Sequence, residues 1–283
     1  MTTRSRYSFV SIFLAALILL LMGCDPSPVS SGSEEAEEPA GHLVVVGGGG
    51  TPPSVVARAL ELAGGPSARV SVLPQASSRE EAGEGTVEMF MEAGGVDAAV
   101  VRLDTLEGAL DRLRSSDLIW MPGGSQNRFM EAVRETPVPS VMRQRYREGA
   151  VVGGTSAGAA VQSGRMITGD ADLEAIRAGA TETVAGLGLW AEVIVDQHFL
   201  ARQRISRLFA AVLDHPDLLG IGIDERTAVV RGPGSFEVMG EGAVMVIDAR
   251  EATVPVTETG APYAARRVEV HLLREGEGWS AGG

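Results

Sequence analysis

Apolar residues along this chain fall in runs of about four, separated by segments of helical period. The run LVVV at 43–46 is closed by the glycines at 47–50, which predicts a buried strand followed by a loop. Thr51 then reads as an N-cap with Pro52 at the first helical position, and the helix it opens reaches Ala63 before Gly64 and Gly65. The alternation continues with a strand at 70–74, a helix at 80–93 and a strand at 96–103. A helix follows at 105–114, with Leu106, Leu110 and Leu113 on one face, and then a strand at 118–121 ending in Pro122-Gly123-Gly124. Helical segments at 128–133 and 141–148 precede a strand at 150–152. Such alternation predicts an α/β fold, a parallel sheet with helices on both faces. Ligands of such sheets bind beyond the carboxyl ends of the strands. The glycine-rich stretches at 47–50, 123–124 and 153–154 each follow a strand, so they should gather at one rim.

The second half has a different rhythm. Short strands at 194–195 and 220–223 flank a helix at 205–213, and 227–230, 236–239, 243–247 and 268–273 read as antiparallel strands and hairpins. The expectation is one mixed sheet with the late strands added at an edge.

Residues 1–23 form a targeting segment rather than part of the fold. Arg4 and Arg6 precede an apolar run from Val10 to Met22, shorter than the roughly 20 apolar residues of a membrane-spanning helix. The run ends in Leu21-Met22-Gly23-Cys24, which resembles the lipobox of bacterial lipoproteins. Cleavage before Cys24 would leave its thiol to carry lipid, placing the protein outside the cytoplasm on a bacterial membrane, on the periplasmic or cell-surface side. Residues 24–41 are rich in Ser, Pro, Gly and Glu without apolar periodicity and read as a flexible tether. The catalytic domain is expected at 42–283. Cys24 is the only cysteine, so the domain can hold neither an internal disulfide nor a cysteine nucleophile. The formal net charge of −13 argues against a nucleic-acid surface. No metal site or organic cofactor is expected: histidines are scattered, and the glycines at 47–50 lack the Lys-Ser/Thr of a phosphate loop.

The chemistry centres on GGTSAGAA at 153–160. Gly154-Thr155-Ser156-Ala157-Gly158 fits G-x-S-x-G, a turn that exposes a serine Oγ at the top of a sheet. The backbone N–H of Ala157, with Gly124 of the neighbouring loop, could form an oxyanion hole. A serine nucleophile needs a base. His42, His215 and His271 lie at a tether boundary, a helix end and a late strand, whereas His198 follows a strand and sits among Asp196, Gln197, Arg202, Arg204 and Arg207. Asp224, Glu225 and Asp196 are all candidates for the carboxylate that orients it.

Gly153 to Ala159, then Asp196-Gln197-His198-Phe199 with Arg202, Arg204 and Arg207, then Gly222-Ile223-Asp224-Glu225 resemble the cyanophycinase family of serine peptidases. That family also contains the aspartyl dipeptidases called peptidase E. The likeness runs from residue 43 to about 247. It implies a three-layer, flavodoxin-like fold related to class I glutamine amidotransferases, which would need cysteine where Ser156 stands. Its order of Ser, His, Glu differs from the α/β-hydrolases, which place the acid before the histidine. The resemblance implies Ser156 as nucleophile, His198 as base and Glu225 as its orienting acid. It also implies Gln126, Asp196, Arg202, Arg204 and Arg207 as substrate-binding residues, with Ser125 where the family more often has Asp or Asn. The implied partner is a peptide, cyanophycin first: a polyaspartate backbone bearing arginine, released as β-Asp-Arg through an acyl-enzyme. Short aspartyl peptides are the alternative substrate, and a silent surface-binding lipoprotein the alternative class. A homodimer is left open.

Overall fold

The computed structural model describes residues 38–171 and 175–280; the expected leader, Cys24 and most of the tether lie outside them. Five parallel strands make up one side of the larger sheet, ending at β3 on its edge: β1 (His42–Val46), β2 (Arg69–Val72), β3 (Asp97–Val100), β4 (Leu118–Met121) and β5 (Val151–Thr155). The connections carry α1 (Pro53–Leu62), α2 (Glu84–Glu92), α3 (Leu106–Arg114), α4 (Gln126–Val133) and α5 (Val138–Arg147). After β5 come α6 (Ala157–Ala160), a two-stranded ribbon of β6 (Arg165–Ala171) and β7 (Thr181–Ala185), then β8 (Val193–Gln197), α7 (Ile205–Asp214) and β9 (Leu219–Ile223). The chain ends with β10 (Thr227–Gly232), β11 (Ser235–Gly240), β12 (Val244–Asp248), β13 (Glu269–Leu273) and β14 (Gly278–Trp279).

The layers follow from strand alternation. Leu43 to Val46 are all 0% exposed, as a central strand covered on both faces requires. Val44 and Val46 pack with Val55, Val56 and Ala59 of α1 and Phe90 of α2. Leu43 and Val45 belong to the cluster on the other face, with Leu113, Phe129 and Met142. Each such side chain contributes roughly 1.5–3 kcal/mol through burial. The fold class is therefore the expected one: α/β, with a mainly parallel central sheet and antiparallel strands.

The expected single mixed sheet is corrected. The late strands divide between two sheets. One is eight-stranded, in the order β14-β11-β10-β1-β5-β4-β2-β3, and the other four-stranded, in the order β13-β12-β9-β8. Val193, Val195, Ile221 and Val246 of the smaller sheet join the same core as α3 to α5. Ile194 faces the opposite way, where Leu208, Ala211 and Val212 of α7 cover it. Both faces of the smaller sheet are thus apolar, a pattern that short runs of Val and Ile cannot distinguish from strands at the edge of a larger sheet.

Two local expectations also shift. The first helix starts one residue later than its proline signal, with Pro52 extended at the cap and Pro53 at the first helical position. Either proline suits that place, because a first-turn N–H has no intrahelical acceptor to lose. The β6–β7 ribbon was not expected, because RMITGDA and TETVA are interrupted by polar residues and glycine.

Candidate active site

Five strand ends, those of β1, β4, β5, β8 and β9, deliver the groups that meet at one rim. β5 ends at Thr155, and Ser156 follows with φ 55° and ψ −112° before α6 begins at Ala157. A positive φ is uncommon for a residue with a Cβ. It is held here by a hydrogen bond from the Ser156 N–H to the Val46 carbonyl at 2.9 Å. Glycines make the turn possible. A Cβ on Gly154 would lie 2.6 Å from the Gly158 carbonyl oxygen and 2.7 Å from that of Met121, and one on Gly158 would collide with Met121 outright. Gly153 leaves room for Trp120, whose ring a Cβ there would meet at 2.5 Å. Gly154 and Gly158 are thus required by backbone-to-backbone packing, and Gly153 by the Trp120 ring.

His198 follows β8 and also has a positive φ, 50°. Its N–H donates to the Gly47 carbonyl at 2.6 Å, which ties the end of β8 to the loop after β1. Ser156 Oγ lies 3.0 Å from His198 Nε2, and His198 Nδ1 lies 2.5 Å from Glu225 Oε1. A carboxylate at Nδ1 favours the proton on that nitrogen and leaves Nε2 free to accept from the serine hydroxyl. Burial, the largest influence, pulls the His198 pKa below its ordinary 6.5. The bond to Glu225 raises it, and the positive charges of Arg202 and Arg204 lower it further. The net direction keeps the imidazole neutral near pH 7. This chain can therefore withdraw a proton from a serine Oγ and hold it on an imidazolium braced by a carboxylate.

The glycines at 47–50 explain how His198 and Glu225 fit. A Cβ on Gly48 would stand 2.5 Å from His198 Nε2, and one on Gly49 would stand 2.7 Å from Glu225 Cβ. Both glycines have positive φ, 103° and 68°. The loop serves as a bare backbone wall against the imidazole and carboxylate. Of the three acids left open by spacing, only Glu225 reaches His198. Asp224 Oδ1 accepts the Ala201 N–H at 3.1 Å, and Asp196 is engaged elsewhere.

The residues expected to bind substrate separate into two groups. Asp196 and Arg207 are 1% and 3% exposed and pair through two hydrogen bonds, Arg207 Nε to Asp196 Oδ2 at 2.7 Å and Nη2 to Oδ1. The expectation that they line the cleft is corrected: each is the other's counter-charge inside the fold, where an unpaired charge would be costly to desolvate. Arg204 is half-buried, donating to the Gln197 carbonyl at 2.6 Å, and burial together with Arg207 lowers its pKa to about 10. Arg202 is exposed. Gln126 is 8% exposed and donates to the Ile167 carbonyl at 3.2 Å, while Ser125 caps α4 by accepting the Arg128 N–H.

The loop after β4 approaches the serine closely. A Cβ on Gly123 would lie 3.4 Å from that of Ser156, and Gly124 adopts φ 146° beside Ala76. Ala157 stands at the first position of α6, where its N–H has no intrahelical acceptor. Sequence reasoning gave no role to Gln197, whose Oε1 lies 3.4 Å from Ser156 Oγ. Its position directly before His198 was the available signal.

The close fit of Gly48 generates a direct expectation. Gly48→Ala should displace the imidazole, and a misplacement near 1 Å costs on the order of 10²-fold in turnover. Peptidase kinetics alongside a urea midpoint would check this; full turnover in a folded Gly48→Ala protein would contradict it.

Residues 43–239 match peptidase family S51. The chain is 37% identical over 227 residues to the cyanophycinase of Trichormus variabilis, covering 76% of each protein. It is 36% identical over 236 residues to the cyanophycinase of Geminocystis herdmanii, covering 79% of this chain and 86% of that one. Among solved structures, a peptidase from an acI-B1 Actinobacterium superposes with TM-score 0.60 at 21% identity, over 86% of this chain and 97% of that one. A Listeria monocytogenes EGD-e protein provisionally named peptidase E gives TM-score 0.53 at 17% identity, over 71% of this chain and 99% of that one, a likeness of fold alone. With a serine, a histidine and a carboxylate in one hydrogen-bonded line at the rim of this fold, the chain belongs to peptidase family S51 and is a serine-type peptidase.

Proposed function

We propose that this chain hydrolyses the aspartyl backbone of cyanophycin and releases β-Asp-Arg dipeptides through an acyl-enzyme on Ser156. The observation that carries the chemistry is the Ser156–His198–Glu225 line, 3.0 Å and 2.5 Å between successive partners. The substrate is supported by the relatives named cyanophycinase.

In this mechanism Ser156 Oγ attacks the scissile carbonyl as His198 Nε2 takes its proton. The Gly124 and Ala157 N–H groups receive the developing oxyanion. Collapse of the tetrahedral intermediate expels the amine, which takes the proton from His198, and leaves an ester on Ser156. Water then attacks the ester with His198 again as base, restoring the free serine. Glu225 keeps its carboxylate throughout, fixing the imidazole and stabilising its cation. Exposed Arg202 is suited to a substrate carboxylate by two-point contact, and Gln126, the first residue of α4 after the Gly123–Ser125 loop, is a second proposed contact. Asp196, 1% exposed and sealed inside the fold with Arg207, is out of reach of the substrate guanidinium. An aspartyl dipeptidase activity on short peptides would use the same chemistry.

The leader and Cys24 support a further part of the proposal, a lipid anchor that holds the enzyme outside the cytoplasm. No helix of the described residues is long and apolar enough to cross a membrane.

Mass spectrometry of products from insoluble cyanophycin tests the activity. The wild type should release β-Asp-Arg, and Ser156→Ala should lower the rate about 10⁶-fold. Equal release by both would remove the mechanism, and cleavage of aspartyl dipeptides with no attack on the polymer would remove the substrate. Cys24→Ser should move the protein from the membrane to the soluble fraction, whereas unchanged lipid labelling would contradict the anchor.

A further inference from the structure

At the other end of the same strands the chain forms a second recess. Arg231 stands beside Leu43 in the register of β10 and β1, whereas Val46, further along β1, stands beside Thr155 next to the serine. Three residues of strand rise about 10 Å, so the recess and the serine occupy opposite rims. Glu192 directly precedes β8 and Leu219 opens β9, and both residues line the recess. The far ends of those strands lead to His198 and Glu225.

The cavity measures about 150 Å³. Sites enclosing a drug-sized ligand hold roughly 300–1,000 Å³, so this one is scaled to a single side chain. Its wall is an aromatic row: Trp190 meets Phe236 edge-on at 5.6 Å, and Phe236 stacks on Trp279 at 6.0 Å. The guanidinium of Arg231 lies 5.7 Å from the Trp190 ring centroid, and that of Arg250 lies 5.8 Å from Trp279. These stacked cations are themselves held by carboxylates, Arg231 by Glu192 at 3.2 Å and Arg250 by Asp248. Glu38 and exposed Asp217 add negative charge at the rim. An apolar wall flanked by both signs of charge suits a ligand carrying a carboxylate and a cation on one flexible stem.

We propose that this recess is a second binding site for the arginyl unit of cyanophycin. Arginine attached through its α-nitrogen keeps a free α-carboxylate and a free guanidinium. The carboxylate is received by Arg231 and Arg250, the guanidinium by Asp217 and Glu38, and the methylene stem lies against Trp279. The identity of the ligand rests on the cyanophycin reading above. The two rims together allow one polymer, or two chains of one granule, to be held while another stretch is cut, so retention rises through local concentration without a new catalytic contact.

Two of the three tryptophans line the recess, and Trp120 is buried elsewhere against Phe90. Tryptophan fluorescence of the Ser156→Ala protein therefore reports on it. Nα-acetylarginine, which carries both charges and no aspartyl bond, should produce a saturable change. Asp217→Asn and Arg250→Gln should each weaken that binding about tenfold, and so should replacement of the probe by Nα-acetylarginine amide. With Ser156 restored, both variants should keep kcat/KM on a short soluble β-Asp-Arg oligomer and lose severalfold in rate on insoluble cyanophycin. A flat titration, or equal affinity in the variants, overturns the site even where cyanophycin is cleaved. Saturable binding that the variants weaken, in a protein that leaves cyanophycin intact, supports the site and removes the proposed activity instead.

Discussion

The site depends on the approach of a bare backbone to a buried imidazole. His198 is 8% exposed and lies against Gly48, where any side chain would strike its ring. The same loop accepts the His198 N–H at Gly47 and leaves room for the Glu225 side chain at Gly49. The last residue of β1 and the four glycines after it thus join the ends of β5, β8 and β9 into a single rim. Both Ser156 and His198 adopt positive φ, a conformation of the order of 1–3 kcal/mol above the ordinary one, sustained by the surrounding hydrogen bonds. That strain aims Oγ and Nε2 at each other.

A second constraint acts through charge. The motif after His198 places three arginines near a histidine whose use as a base requires it to be neutral. Asp196 neutralises the most buried of them, Arg207, and its Oδ1 also lies 3.8 Å from Arg204. The remaining positive field of Arg202 and Arg204 adds to burial in lowering the His198 pKa, against the opposing effect of Glu225. The buried pair satisfies its own charges inside the fold and leaves Arg202 and Arg204 as the arginines that act on His198.

Much of this was legible in the chain. Strand–helix alternation and glycines after strands placed the rim, and Ser156, His198 and Glu225 stood together in recognisable motifs. Spacing alone did not separate Glu225 from Asp224, because adjacent residues after a strand leave in different directions and only the turn decides which meets the imidazole. Charge at a strand end likewise suggested an open cleft at Asp196 and Arg207, but burial of a mutually satisfied pair leaves no mark in sequence. The second sheet is hidden for a related reason: β8, β9 and β12 are short apolar runs, and the β10–β11 hairpin between β9 and β12 pairs with β1 in the larger sheet, so sheet membership changes between neighbouring strands.

The most direct measurement is the pH dependence with which a fluorophosphonate labels Ser156, followed by intact-protein and peptide mass spectrometry. A base must be unprotonated to act, so labelling should rise with pH through an apparent pKa below 6.5 and stay level through neutrality. It should vanish in His198→Ala. Labelling at another residue, or at Ser156 with the same rate and pH profile in His198→Ala, would contradict an activated serine at this rim.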